Sequence, residues 1–340
     1  MSAPTVVEAI TIFVLVYFVV MNLGYLVLNA LSLASLWRGQ QEQVLDDLPQ
    51  VYSGLDPAIS LLVPAYNEEA SIADSIRSML QLNYANVEIV VINDGSKDGT
   101  LAVLQREFGL EPFPQAMHER LQTQPVRAVY RSRLHPTLRV IDKENGGKAD
   151  SLNAGINLAR HELFCGVDAD SILERDSLQK VVKPFLRDPR VVASGGTVRV
   201  ANGCDIEGGF LTRVNLPRNL WALFQVVEYL RAFLFGRLGW SQLNAMLIIS
   251  GAFGLFRKDV VIEVGGYKPK TIGEDMELVV RMHRHLRSQS ADLLGADGPR
   301  HVFAIEHDAS RAKVRLRAAR QRRGRRSTVS TRRPWADRPR

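Results

Sequence analysis

Short apolar runs alternate with segments of helical periodicity between residues 58 and 167. The runs predict strands at 58–63, 87–92, 137–141 and 163–167, and the periodic segments predict helices at 69–82, 99–107 and 149–160. This alternation predicts an α/β fold, with a mostly parallel sheet and helices on both faces. In such sheets the binding site lies at the carboxyl ends of the strands. Four prolines between residues 109 and 136 predict an inserted surface loop.

The N-terminal part of the chain contains the longest apolar stretch. From Ala9 to Trp37 there are 29 residues without a charged side chain. A membrane-spanning helix needs about 20 apolar residues, so the stretch predicts one transmembrane helix with some tilt. A cleaved signal peptide would have a basic region before a shorter apolar stretch, whereas Glu8 is the only preceding charged side chain. We therefore expect residues 1–38 to form a membrane anchor.

Charge and composition on the C-terminal side of this anchor indicate its orientation. Arg38 follows the apolar stretch, and no basic side chain precedes it. Because basic residues favour the cytoplasmic side, we expect a single-pass protein in the cell (inner) membrane with the rest of the chain in the cytoplasm. Residues 39–57 are polar and acidic and predict a linker.

A second uncharged run of 19 residues extends from Leu238 to Phe256. It contains three glycines and several polar side chains, and a second crossing would place residues 168 and 275 on opposite sides of the membrane. We expect an interfacial segment that leads into a buried strand. The preceding stretch, 209–235, mixes aromatic residues with arginines. It fits a lipid- or sugar-contacting segment and an ordinary amphipathic helix equally well.

Composition and charge limit the classes of function. The 340 residues are 46% hydrophobic and 23% charged, which excludes a disordered chain and allows a large core. Two cysteines exclude a disulfide scaffold and indicate a reducing compartment. The formal net charge is +7, but residues 311–340 hold twelve arginines, one lysine and one aspartate, a net +12 that leaves −5 elsewhere. We therefore expect no nucleic-acid partner.

Acidic side chains follow the predicted strand ends. Asp168 and Asp170 come directly after the strand at 163–167, and an acidic cluster recurs at 273–278. Carboxylates suit a hard divalent cation such as Mg²⁺ or Mn²⁺, which in turn suits a diphosphate. Taken alone, the short Asp-x-Asp motif fits a solvated turn better.

A glycine pair precedes the helix predicted at 149–160. Gly146 and Gly147 can present backbone N–H groups to a phosphate, and Lys148 can add a positive charge. Ala149 stands where a P-loop needs Ser or Thr, so this is not a P-loop. A simple turn is an equally good interpretation of the glycine pair.

Six stretches, in this order, resemble membrane-bound family 2 glycosyltransferases with the GT-A fold. They are VPAYNEE (63–69), NDGSKDGT (93–100), NGGKADSLNAG (145–155), DAD (168–170), SGAFGLFR (250–257) and GED (273–275). The resemblance covers about residues 58–287 and is greatest to processive bacterial synthases of the poly-N-acetylglucosamine, cellulose and hyaluronan type. It implies a GT-A, Rossmann-like domain over 58–287, preceded by one transmembrane helix.

The resemblance implies a nucleotide-sugar pocket. Pro64, Ala65, Tyr66 and Glu68 would line the uridine pocket, with Asp94 at the uracil edge, Lys148 on the nucleotide and Asp168 on the nucleotide sugar. Asp170 would hold Mg²⁺ or Mn²⁺ on the diphosphate of a UDP-sugar.

The resemblance also implies the catalytic and acceptor residues. Asp275 would be the general base, with Glu274 beside it, and Ser250, Gly251 and Ala252 would line the acceptor. An ionised aspartate can accept the proton of an attacking sugar hydroxyl. Attack from the face opposite the leaving group inverts the anomeric centre. We therefore expect transfer of N-acetylglucosamine or glucose to a growing polysaccharide at the cytoplasmic face of the membrane.

The chain departs from the processive pattern after about Arg287. Processive members carry a Gln-x-x-Arg-Trp motif and further membrane helices there, whereas residues 288–340 are Ala-, Arg- and Ser-rich. We expect this Arg-rich tail to be disordered or aberrant, as a frameshifted or truncated gene would produce, with activity impaired.

Two alternative functions stay open on the sequence. A non-processive enzyme that transfers one sugar to a lipid carrier would need no translocation channel, which suits a single membrane helix. A membrane-tethered binding protein would instead use the Arg-rich tail on nucleic acid or anionic lipid, although blocks of like charge are usually solvated.

Overall fold

The computed structural model describes residues 3–46, 56–196, 198–200, 204–207, 210–213, 215–217, 219–269, 271, 273–292, 302–305 and 313–315. The helices are α1 (Ala3–Asp46), α2 (Ile72–Leu80), α3 (Thr100–Phe108), α4 (Lys148–Leu158), α5 (Ser177–Arg187), α6 (Leu220–Leu230), a π-helix (Arg231–Gly236), α7 (Arg237–Gln242), α8 (Lys258–Glu263) and α9 (Glu274–Asp292). The strands are β1 (Ile59–Ala65), β2 (Val87–Asp94), β3 (Leu110–Pro112), β4 (Val126–Ser132), β5 (Leu138–Lys143), β6 (Leu163–Val167), β7 (Ser171–Leu173), β8 (Val191–Gly195), β9 (Val198–Val200), β10 (Asp205–Glu207), β11 (Phe210–Arg213), β12 (Phe253–Arg257), β13 (Val302–Ile305) and β14 (Lys313–Arg315).

The predicted membrane anchor lies in α1. Its segment Val6–Trp37 spans 32 residues with a mean hydropathy of 2.3, which is long and apolar enough to cross a membrane. The helix continues to Asp46, so the first eight residues of the predicted linker 39–57 are helical rather than extended. Residues 47–55 of that linker lie outside the described part of the chain.

Nine of the described strands form one sheet in the order β13-β8-β12-β6-β1-β2-β5-β4-β3. Strands β6, β1, β2 and β5 run parallel in its centre, whereas β12 and β4 run antiparallel to their neighbours. The four strands predicted from apolar runs are these central four, and the three predicted helices are α2, α3 and α4. The predicted α/β fold is confirmed, and the sheet is mixed, since four of its eight strand pairings are parallel and four are antiparallel.

Alternating side chains of the central strands pack on opposite faces of the sheet. Leu61 and Val63 of β1 join one cluster with residues of α2, α3 and α5. Leu62, between them, joins a second cluster with residues of α4, α8 and α9. Burial of each such side chain contributes about 1.5–3 kcal/mol, so both helix layers hold the strand ends in place.

The expectation of a surface loop over residues 109–136 is wrong in part. Strands β3 and β4 lie in this segment and extend the sheet antiparallel to β5. Its prolines fall where a sheet tolerates them, because Pro112 ends the edge strand and Pro125 precedes β4.

The second uncharged run does not form a membrane-spanning helix. Only Arg237–Gln242 within it is helical, and the run then leads into β12, whose first four residues are buried. The prediction of a segment that leads into a buried strand is therefore confirmed.

Two short strands lie in the range predicted to be a disordered or aberrant tail. β13 pairs in parallel with β8, and β14 pairs with both β7 and β9. These seven residues therefore form strands within the range 288–340 that the sequence predicted to be disordered or aberrant, and they pair with β8, β7 and β9. The other residues from 293 onward lie outside the described part of the chain.

Candidate active site

A cleft of about 440 Å³ opens at the carboxyl ends of the central strands. Its lining includes all eight residues that the sequence predicted for the nucleotide sugar and the metal, namely Pro64, Ala65, Tyr66, Glu68, Asp94, Lys148, Asp168 and Asp170. Four further residues line the cleft, namely Asn145, Gly147, Ser151 and Ala169, of which Gly147 belongs to the glycine pair singled out in the sequence. Residues more than 100 positions apart in sequence thus meet in one cleft.

The loop after β1 is tied to the loop after β2. Asn67 has a positive φ of 55°, and its backbone N–H donates to Oγ of Ser96 at 3.1 Å. Its side-chain oxygen accepts from the Lys97 N–H at 2.8 Å. The neighbouring Glu68 N–H donates to Oγ1 of Thr100 at 2.9 Å. These bonds hold the backbone directly after Tyr66, whose side chain is 44% exposed at the mouth of the cleft.

The Asp94 carboxylate organises the glycine loop before α4. Gly146 N–H donates to its Oδ1 at 3.0 Å, and Gly147 N–H donates to its Oδ2 at 2.8 Å. Asn145 donates to the same carboxylate at 3.1 Å. The expectation that these two glycine N–H groups face a phosphate is wrong in this structure, because the buried carboxylate of β2 occupies them. The Asp94 carboxylate thus takes the place that an external anion such as a phosphate would take among these N–H groups.

A buried lysine completes this arrangement. The ammonium of Lys143, whose side chain is fully buried, lies 2.7 Å from Oδ1 of Asp94 and 2.6 Å from Oδ1 of Asp150. It also donates to the Glu144 carbonyl at 2.6 Å. Asp150 in turn accepts from the Gln124 N–H at 3.0 Å. One lysine therefore joins β2, the first turn of α4 and the segment before β4.

A second ion pair crosses the cleft between α4 and the end of β6. Lys148 lies 2.8 Å from Oδ1 of Asp168. Burial alone would lower the pKa of Lys148, but the carboxylates of Asp168 and Asp275 raise it above its ordinary value. Lys148 is therefore a firmly charged cation placed between the Asp168–Asp170 motif and Asp275.

Asp275 is the second residue of α9 and lies against the turn that precedes β12. Gly251 N–H donates to its Oδ2 at 2.9 Å, and in the described part of the chain no donor reaches its buried Oδ1. Burial raises the pKa of Asp275, Lys148 opposes the rise, and the adjacent Glu274 and Asp168 add to it. The site therefore holds a half-buried carboxylate whose Oδ2 is bound by a backbone N–H and whose Oδ1 is buried without a hydrogen-bond donor among the described residues.

The predicted acceptor turn is built around that carboxylate. Gly251 packs directly against the carboxylate, since a Cβ added to this glycine would lie 2.0 Å from Oδ1 of Asp275. Ala252 N–H donates weakly to Oγ of the flanking Ser250 at 3.4 Å. These three residues lie on the Asp275 side of the site and do not line the cleft.

The acidic residues available for a metal are few. The described residues contain no group of three or more His, Cys, Asp or Glu side chains able to bind an ion by themselves. Four carboxylates line the cleft, and two of them, Asp168 and Asp170, lie together after β6. Mg²⁺ and Mn²⁺ at phosphate-transfer sites are commonly held by one or two carboxylates together with substrate phosphates, so the donor set fits such an ion when a diphosphate is present.

Comparison with known proteins agrees with this architecture. The sequence model of "Glycosyl transferase family 2" matches residues 60–265, more than half of the chain. The chain belongs to this family. Glu274 and Asp275 lie past the last matched residue, so their place in the site is an independent structural observation.

Several synthases are related in sequence to this family member. The poly-beta-1,6-N-acetyl-D-glucosamine synthase of Staphylococcus aureus (strain COL) is 30% identical over 228 residues, which cover 66% of this chain and 45% of that protein. The synthase of the same name from Staphylococcus epidermidis is 29% identical over the same length. This chain spans about half the length of the curated relatives that it matches.

Among solved structures, the mannosyltransferase PcManGT from Pyrobaculum calidifontis, in complex with GDP-Man and Mn²⁺, is similar to this chain. The TM-score is 0.51 at 20% identity, over 87% of this chain and 70% of the other. This likeness confirms the GT-A fold that the sequence motifs predicted.

Proposed function

We propose that the protein is an inverting glycosyltransferase that transfers a sugar from a UDP-sugar to a growing polysaccharide. The observation that carries the proposal is the cleft lined by Pro64, Ala65, Tyr66, Glu68, Asp94, Lys148, Asp168 and Asp170, in which Lys148 also interacts electrostatically with Asp275. Membership of glycosyl transferase family 2 supports the reaction class.

The donor proposal rests on the part of the cleft between Tyr66 and Asp94. Tyr66 presents an exposed aromatic ring at its mouth, and Asp94 lies at its base. We assign the uridine to this part, with the sugar toward Lys148 and Asp168. The named product of the two staphylococcal relatives supports N-acetylglucosamine as the transferred sugar, with glucose as the alternative.

Asp168 and Asp170 are the residues that would hold Mg²⁺ or Mn²⁺ at the diphosphate. When bound, such a cation stabilises the negative charge that develops on the leaving group. Lys148 contributes a second positive charge from the protein itself, at the same end of the cleft. The Asp168 carboxylate also fixes the position of that ammonium.

Asp275 is the proposed general base. The Gly251 N–H binds Oδ2 and orients the carboxylate that would accept the proton of the attacking hydroxyl. Glu274 adds negative charge beside it. Direct displacement by that hydroxyl, with one base and no enzyme nucleophile, would invert the anomeric centre.

The apolar span of α1 supports a membrane location, and we assign the catalytic domain to the cytoplasmic side. The basic residue Arg38 at the end of the span supports that orientation. Nucleotide sugars are then available to the cleft from the cytoplasm.

Membrane fractions that contain the full chain test this proposal. We expect turnover of UDP-N-acetylglucosamine or UDP-glucose with Mg²⁺ or Mn²⁺, and loss of turnover on adding a chelator or in the Asp170→Ala variant. Asp275→Asn should reduce kcat by about 10²–10⁴-fold, the usual contribution of a general base. Asp259→Asn is the matched control, because this aspartate on α8 is 64% exposed and lies outside the cleft. Normal turnover by Asp275→Asn would contradict the assignment of the base, and turnover of GDP-mannose alone would contradict the donor class.

A further inference from the structure

The segment that leads into β12 is joined to helix α9 at two places. We call its residues 246–251 the strap. At one end of the strap, the Gly251 N–H donates to Oδ2 of Asp275 at 2.9 Å. At the other end, the Met246 carbonyl accepts from Nε2 of His283 at 2.7 Å. Because a carbonyl oxygen can only accept, this second bond requires the proton of the imidazole to be on Nε2.

The spacing of the two hydrogen bonds sets the direction of the strap. Asp275 and His283 are eight residues apart on α9, which corresponds to about 12 Å along the helix axis. Met246 and Gly251 are five residues apart, and five extended residues span at most about 17 Å. The strap therefore runs antiparallel to α9, with little spare length between its two bonded ends.

Apolar packing fills the space between these ends. Met246 and Ile249 of the strap are buried, and they belong to the same core cluster as Leu278, Val279 and Met282 of α9. Apolar packing is not directional, so it holds the strap on the helix without defining its exact position along it. The two hydrogen bonds are directional, and they define that position.

A second histidine of α9 contacts a different element. Nε2 of His285 lies 3.0 Å from Oε1 of Glu263, at the end of α8. Residues two apart on a helix do not share a face, so the imidazoles of His283 and His285 point in different directions. His283 thus joins α9 to the strap, whereas His285 joins α9 to α8.

We propose that His283 is a positioning residue for Asp275. Through the Met246 carbonyl it fixes one end of the strap, and the strap then presents the Gly251 N–H that orients the Asp275 carboxylate. None of the cleft-lining residues described above follows Asp170 in the sequence, so we expect His283 to affect the base and not the binding of the nucleotide sugar. The inference rests on the role of general base that the proposed function gives to Asp275.

Steady-state kinetics with UDP-N-acetylglucosamine test this role. His283→Leu removes the bond to Met246, and we expect kcat to fall at least about tenfold while KM changes by less than about twofold, since small displacements of a catalytic group are costly. His283→Gln should restore most of kcat, because its amide nitrogen reaches the place of Nε2. His283→Asn should not, because its amide nitrogen reaches only as far as Nδ1.

His285→Leu is the matched control on the same helix, and it should retain its kcat. A fall in kcat as large as that of His283→Leu would overturn the proposal. The comparison of His283→Gln with His283→Asn holds even if His283→Leu does not fold, because the two amides differ by one methylene. Equal kcat in these two variants would also overturn the proposal.

Hydrogen exchange of the detergent-solubilised full chain, measured by mass spectrometry, tests the strap without using activity. In His283→Leu we expect the amides of residues 246–252 to exchange about threefold to tenfold faster, the factor that corresponds to one lost hydrogen bond. His285→Leu should leave this peptide unchanged. Unchanged exchange in His283→Leu, or faster exchange with a normal kcat, would overturn His283 as a positioning residue. Absence of turnover in the unmodified chain, together with the expected exchange, would contradict the proposed function and not the attachment of the strap.

Discussion

At the residue scale, the tightest constraint on the site is the contact between Gly251 and Asp275. The carboxylate occupies the space where any other residue would place its Cβ, and the Gly251 N–H binds one of its oxygens. A single glycine therefore sets the position of the proposed base and binds one of its two carboxylate oxygens.

Gly251→Ala should displace the base without removing it. The new Cβ would lie 2.0 Å from Oδ1, so the carboxylate or the turn must move. A displacement of about 1 Å at a catalytic group can cost about 100-fold, and we expect at least that loss in kcat. Gly166→Ala is the matched control, because its Cβ would meet its nearest neighbour at an ordinary 3.7 Å. Equal activity of the two variants would show that Gly251 does not position the base.

Lys143 is the second residue on which the site depends. Lys143→Met would leave the buried carboxylates of Asp94 and Asp150 without a counterion, which typically costs about 3–5 kcal/mol of unfolding free energy. We expect a lower Tm and a raised KM for the donor, since Asp94 holds the glycine loop. The double variant Lys143→Met, Asp150→Asn should recover part of the Tm, because it removes one unpaired charge. An unchanged Tm in the single variant would refute this role.

The pKa of Asp275 gives a pH-dependent prediction. Because its folded pKa is raised above the ordinary value of 3.8, ionisation favours the unfolded chain as pH rises through that range, and stability is lost. Asp275→Asn should therefore raise the Tm at neutral pH while it abolishes turnover, and the gain should disappear below about pH 3.8. Hydrogen bonds from Arg281 lower the pKa of Glu277 on the same helix, so Glu277→Gln should instead lower the Tm at neutral pH. Thermal unfolding of both variants across pH measures the two signs, and a lower Tm for Asp275→Asn would contradict the first.

At the element scale, the apolar runs predicted the central strands because those strands are buried on both faces and are mostly apolar, with buried polar residues such as Ser60 and Glu88 as exceptions. β3 and β4 were missed because they are partly exposed: β3 is the edge strand and ends in Pro112, and β4 beside it follows Pro125, so these prolines resemble those of a loop. The cluster around Lys143 was missed for another reason. A lysine at a strand end is normally solvated, and only the approach of Asp150 from α4 makes its burial possible. Asp94 was assigned to the cleft correctly, but its bonds to the glycine loop depend on pairing between β2 and β5.

The contact between α1 and α7 yields a prediction at this scale. Gly239→Val would place side-chain atoms against the Leu28 carbonyl, and overpacking of this kind costs about 1–3 kcal/mol. We expect a lower Tm for the detergent-solubilised protein and faster proteolysis between α7 and β12. Gly236→Ala provides the comparison, because its Cβ would meet the nearest atom at 3.9 Å. If both substitutions leave the Tm unchanged, the two helices are not closely packed.

At the scale of the whole molecule, the site draws its residues from distant parts of the chain. The donor cleft is built from the first half of the sheet, and the proposed base and acceptor turn come from β12 and α9. The six motifs allowed this grouping to be predicted from the sequence, because each follows a strand or begins a helix at the same edge. The motifs did not predict that the N–H groups of Gly146 and Gly147 bind the Asp94 carboxylate. An internal carboxylate and an external phosphate require the same donors, so the sequence pattern does not distinguish them.

The π-helix at Arg231–Gly236 determines how α6 is rotated about the helix axis relative to α7. Each residue of an α-helix turns the chain by about 100°, so one residue more or fewer between α6 and α7 changes the direction of everything before it. With α7 held against α1 by Gly239, deletion of a single residue from the π-helix would rotate the exposed apolar side chains of α6, such as Trp221 and Phe224, by about that angle around the helix axis. A backbone irregularity six residues long thus sets the angle between the two apolar surfaces of the protein, independently of the side chains that form them.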